Sequence, residues 1–144
     1  QQPKVVGNVQ KLRADPALSW REAVKKFLHD GCYGEKNGIA VLTIEEQQLI
    51  FKRLSKESYQ IFRQKQHWLF GKILENMGIK ADAKRINLFT NLSLTAMIIR
   101  RALPDTLPLF VPEVADETVD FQLDAIVDIL EKLKMAPQIL DDEN

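Results

Sequence analysis

Between Ile44 and Met77 the apolar residues keep one helical phase. Advancing about 100° per residue, Ile50, Phe51, Leu54, Ile61, Phe62, Trp68, Leu69 and Ile73 fall within an arc of about 140°. Ser55 to Ser58 is polar enough to suggest a break. Two independent helices would have no reason to share a phase, so the pattern predicts one helix from Ile44 to Met77, kinked near Ser55 and ended by Gly78. Such a rod would be roughly 50 Å long, and its apolar stripe is the expected core face.

The flanking segments also read as helices. Val5 to Ala14 is a short one, interrupted by Gly7 and stopped by Asp15-Pro16. Ser19-Trp20-Arg21-Glu22 has capping-box spacing and opens a helix expected to bury Trp20, Val24, Phe27 and Leu28 and to stop at Gly31. GCYGEKNG is a glycine-rich connector, and IAVL behind it reads as extended and buried. Thr43 to Glu46 forms a second capping box.

Asp82 is placed to cap Ala83 to Leu103, which is apolar on most sides and expected at the centre of the fold. Pro104, Pro108 and Pro112 then forbid regular structure, while Leu107, Leu109, Phe110 and Val111 are too apolar for a free linker and imply a crossover lying on the core. Glu117 to Met135 is amphipathic, with Val119, Leu123, Ile126, Val127, Leu130 and Leu133 on one face and Asp120, Asp124, Asp128 and Glu131 opposite. The expectation is an all-α chain: an irregular bundle of about five helices with one proline-rich crossover, forming a single domain over residues 1–144 with 137–144 as a loose tail.

A chain of 144 residues is long enough to bury about two-thirds of its unfolded surface without staples. Cys32, as the lone cysteine, has no internal disulfide partner, which fits a reducing, intracellular setting in cytoplasm or nucleus. The longest uncharged run in a helical pattern, Ile86 to Ile99, is too short to span a bilayer, so no membrane role is expected. The opening QQPKVVGNVQ has neither an initiator Met nor a signal-peptide apolar core, and reads as a trimmed chain or a piece of a longer protein.

The formal net charge of zero conceals a division along the chain. Residues 50–101 hold 11 basic and 3 acidic side chains, whereas residues 102–144 hold 2 basic and 11 acidic. That separation implies an electrostatic partner or internal pairing of the two parts. Lys52, Lys56, Tyr59 and Arg63 make a stripe beside the apolar face, at a pitch able to meet successive anionic groups, with an aromatic ring able to stack. Lys72, Arg100 and Arg101 complete the candidate contact set, although Arg100 and Arg101 also complement a helix C-terminus. RLSKESYQIFRQKQ resembles the recognition half of a helix-turn-helix only loosely, because the small-residue turn of that motif is missing.

His29 and Cys32 stand close enough in sequence to raise a thiol mechanism, but no oxyanion or substrate element accompanies them. One Cys and two His do not supply a structural zinc site, and the Gly-rich loop fits neither a calcium loop nor a phosphate loop, so neither metal nor cofactor is expected. The sequence therefore points to a non-enzymatic interaction module with a macromolecular partner. Protein is favoured over nucleic acid because the acidic third would repel a phosphate chain. Homo-oligomerisation stays open.

Overall fold

The computed structural model describes residues 2–33, 44–102 and 111–135. The described residues form six α-helices and no strand: α1 (Lys4–Ala14), α2 (Trp20–Tyr33), α3 (Ile44–Arg53), α4 (Lys56–Asn76), α5 (Ala83–Ala102) and α6 (Ala115–Met135), with a single 3₁₀ turn at Pro112–Val114. The capping box at Thr43, the IAVL segment, most of the expected proline crossover and the tail lie outside the described residues. Val111, expected against the core, is 60% exposed. No helix among the described residues is long and apolar enough to cross a membrane.

Local chemistry sets most helix ends. Glu22 N–H donates to Ser19 Oγ at 3.1 Å and Ser19 N–H to Glu22 Oε1 at 3.1 Å, so the α2 capping box closes in both directions. α2 does not stop at Gly31: that residue is buried within the helix, which runs two residues further to Tyr33. At α5, Arg85 N–H donates to Asp82 Oδ1 at 2.8 Å, and the Arg85 guanidinium, itself fully buried, pairs with the same carboxylate. α4 ends in a Schellman motif. Gly78 sits at φ 80°, its N–H reaches Glu75 O at 2.9 Å, and Ile79 N–H reaches Leu74 O at 3.2 Å.

The expected single rod is two helices. Ser55 turns extended (ψ 161°) and its Oγ accepts the Ser58 N–H at 3.1 Å, so the serine supplies the cap that makes a fresh start cheaper than a continuous helix.

Packing joins α1 to α2 and α4, α2 to α5 and α6, and α5 to α4 and α6; α3 belongs to none of these pairs. Val5, Val6 and Val9 of α1, Val24, Phe27 and Leu28 of α2, Phe89 and Met97 of α5 and Val119, Leu123 and Leu130 of α6 are buried in one cluster. α4 joins it through its C-terminal part, with Phe70, Ile73 and Leu74 buried, Leu69 packed against the cluster and the capping Met77 buried beyond the helix end. The Phe70 ring meets Phe89 edge-on at 5.7 Å, and a Cβ at Gly71 would stand 3.1 Å from Ile86 Cδ1, so a glycine permits the close approach of α4 to α5.

The expected core face of the long rod is overturned by this arrangement. Of its members Ile73 is fully buried and Leu54 and Leu69 half-buried, while Ile50, Phe51, Ile61, Phe62 and Trp68 are exposed. The face of α4 that packs is instead the one carrying Phe70, Leu74 and Met77. Traced back by whole turns, that face bears Arg63, Lys56 and Tyr59, side chains that a core does not accept without partners. The packed surface therefore ends at Leu69 and Phe70, and the first half of α4, with α3, contributes no residue to the buried cluster.

Candidate interaction surface on α3 and α4

Lys56, Arg63 and His67 are spaced by about two turns and then one, so they share one side of α4. Arg63 and His67 face Asn87, Thr90 and Asn91 of α5 across a cleft. The cleft holds about 480 Å³ and is walled at its outer end by Phe51, Tyr59 and Phe62. Those three rings hold α3 against α4: Phe51 meets Tyr59 edge-on at 5.7 Å and Phe62 at 6.0 Å. A second, shallower hollow of about 860 Å³ runs along α4 from Lys56 to Trp68 and shares Tyr59, Arg63 and His67 with the first.

Large apolar side chains of α3 and α4 lie exposed beside these hollows. Leu49 is 56% exposed, Phe62 46% and Trp68 52%, with Ile50, Phe51, Tyr59 and Ile61 also exposed. Between them project Lys52, Arg53, Lys56, Arg63 and Lys65, none of which has a carboxylate within 4.0 Å among the described residues.

The acids of α6 are engaged elsewhere. Lys25 Nζ lies 2.8 Å from Asp120 and 2.9 Å from Asp124, and these carboxylates raise its pKa. Arg21 reaches Asp128 at 2.6 Å and Glu131 at 3.3 Å, with Asp128 the chief cause of its raised pKa. The acidic face of α6 is thus read by α2, one turn of cations against three turns of carboxylates.

The candidate contact residues whose side chains are described fall in three places. Tyr59 and Arg63 line both hollows, Lys56 lines the second, and Lys52 is exposed on α3. Lys72 pairs with Glu75 at 3.4 Å within α4, beside α1 rather than α3. Arg100 pairs with Asp116 at 3.4 Å and lies over the Tyr33 ring at 4.5 Å, while Tyr33 donates its hydroxyl to Asp116 at 2.8 Å. Arg101 occupies the last turn of α5, and its side chain is outside the described residues. Phe51, Phe62 and Trp68 belong to the surface although the sequence pattern assigned them to a core. Their signal was present as the polar residues at Lys56, Arg63 and His67, which fill the positions a packed α4 would need to be apolar.

Cys32 is buried at the end of α2, and burial pushes its thiol up to about 11, a protonated form at neutral pH. His29 is exposed and stacks on Tyr33 at a ring separation of 4.5 Å. No group of three or more His, Cys, Asp or Glu among the described residues is placed to hold a metal ion. No protein-family model, curated protein or solved structure matches the chain.

Proposed function

We propose that the chain is a non-enzymatic helical interaction module that engages a protein partner through α3 and the first half of α4, with the remaining helices, arranged as an irregular bundle, acting as its scaffold. One observation carries this reading: exposed aromatic and aliphatic side chains alternate with cations that have no carboxylate partner among the described residues, on α3 and the first half of α4, which add no residue to the buried cluster. Contiguous apolar exposure of this kind marks interaction sites, and aromatic residues with Arg are the enriched chemistry of protein interfaces. Leu49, Ile50 and Ile61 add aliphatic surface, which serves a protein partner and does nothing for a phosphate chain.

A nucleic-acid reading draws on Lys52, Lys56 and Arg63 with the half-exposed ring of Tyr59, a cationic groove beside a stacking platform. A thiol enzyme built on Cys32 and His29 has least support, since its nucleophile is buried and protonated.

Photocrosslinking tests the reading. A benzophenone amino acid at position 62 of the full chain is expected to give discrete protease-sensitive adducts in cell extract, absent when the probe is moved to Lys26 on the outer side of α2. Equal adducts from both positions, or adducts at position 62 that only nuclease removes, would contradict it.

A further inference from the structure

We infer that this surface receives an acidic amphipathic helix, lying along the first half of α4 with an apolar side chain against the Phe51, Tyr59 and Phe62 rings and carboxylates toward Lys56 and Arg63. The inference rests on the protein-partner reading above and specifies the partner's chemistry.

Shape is the first argument. The exposed part of α4, from Lys56 to Trp68, presents about 20 Å of helix, the length of three to four turns of a partner helix. The cleft beside it, about 480 Å³, has aromatic walls at one end and the exposed Asn87 and Asn91 side chains, one turn apart, along its α5 side. An apolar anchor fits the ring end, and the amides serve the polar flank of the same helix.

Charge is the second argument, and the chain supplies its own template. α6 is an acidic amphipathic helix, and α2 receives it with Arg21 and Lys25, two cations one turn apart that meet Asp120, Asp124, Asp128 and Glu131. Lys56 and Arg63 repeat the device at a spacing of two turns on one face, but no acidic helix among the described residues lies on them. A helix with carboxylates at four- and seven-residue intervals completes the pattern, and a basic one is repelled.

The test uses three fluorescein-labelled synthetic peptides of about 18 residues, long enough to fold on binding. One is amphipathic with Glu flanking a Leu/Phe stripe. The second replaces every Glu by Lys. The third keeps the first composition but scrambles the apolar spacing. Fluorescence anisotropy with the full chain is expected to show the first binding at least about tenfold tighter than the others, a difference of about 1.4 kcal/mol. The K56E/R63E double variant is expected to lose that preference, and Phe62→Ala to weaken the first peptide while helicity by circular dichroism stays unchanged. Equal binding of all three peptides, or undiminished binding to K56E/R63E, overturns the inference. If position 62 still crosslinks to protein in that case, the partner reading survives and only the acidic helix falls. A labelled dT20 oligonucleotide binding more tightly than any peptide, with steep loss in salt, overturns both.

Discussion

The indole Nε1–H of Trp20 donates to the main-chain oxygen of Met77 at 2.7 Å, tying the first turn of α2 to the end of α4. Arg13 adds a second tie, from Nη1 to Asn76 O at 3.1 Å, and Lys134 Nζ lies 4.4 Å above the Trp20 ring. α1, α2, α4 and α6 therefore meet at one corner, where the α4 terminus would otherwise leave carbonyls without donors. Trp20→Phe keeps most of the packing but removes the donor. The expected loss is about 1 kcal/mol, read as a lower denaturant midpoint at unchanged slope. An unchanged midpoint would show that the bond contributes nothing.

Gly78 closes the same corner at φ 80°. An alanine there meets no clash worse than 3.4 Å, from Arg13 Nη1, so its cost is backbone strain alone. Gly78→Ala is expected to destabilise by about 1 to 2 kcal/mol, and Gly78→Asn by less. Chemical denaturation of the three proteins checks both the size and the order.

The α2 capping box should be visible in acid. Hydrogen bonds from the Ser19 hydroxyl and then the Ser19 N–H lower the Glu22 pKa below its ordinary value of 4.5. A carboxyl with a depressed folded pKa binds fewer protons folded than unfolded, so its contribution is complete above the unfolded pKa and disappears as pH falls through the folded one. Glu22→Gln should therefore lower stability at neutral pH and flatten the loss of stability below about pH 4.5, measured by denaturation across pH. A parallel pH profile in the variant would count against the closed box.

Cys32 is expected to resist chemistry. With its thiol pushed up to about 11 and buried, it should react with iodoacetamide at neutral pH far more slowly in the folded chain than in denaturant. Because the folded thiol holds its proton where the unfolded one, near 9.0, loses it, Cys32 makes the fold less stable as pH rises from about 9 toward 11. Fast labelling of the native protein would revive a nucleophilic role.

Most helix ends were legible because they depend on neighbours in sequence. Ser19 with Glu22, Asp82 before α5 and Gly78 after α4 each place a local hydrogen bond or a required backbone conformation. The buried face of α6 was legible for a similar reason, since Val119, Leu123, Ile126, Val127 and Leu130 face one core along its length. The α3–α4 region misled. Its apolar phase runs unbroken from Ile50 to Ile73, yet periodicity reports a shared direction and not a covering surface. Which face of α4 meets α5 was decided by Phe70, Gly71 and Leu74, a set too short to outweigh the longer stripe in a wheel. The ion pairs of Arg21, Lys25 and Arg100 depend on which helices lie side by side, which sequence spacing does not encode. The same ignorance put Lys72 and Arg100 in one contact set with a stripe from which the structure separates them.

A docking role for α3 and the first half of α4 requires that the apolar side chains there be open to solvent. The chain has two tryptophans, so Trp20→Phe leaves Trp68 as the only indole reporter, 52% exposed beside Arg63 and His67. Stern–Volmer quenching of this variant, at concentrations where light scattering gives a monomer, is expected to show red-shifted emission and substantial acrylamide access, below that of free indole but well above that of a buried tryptophan. Blue-shifted emission shielded from quencher would mean that the surface is already covered, and the docking role of α3 and α4 would be lost with it.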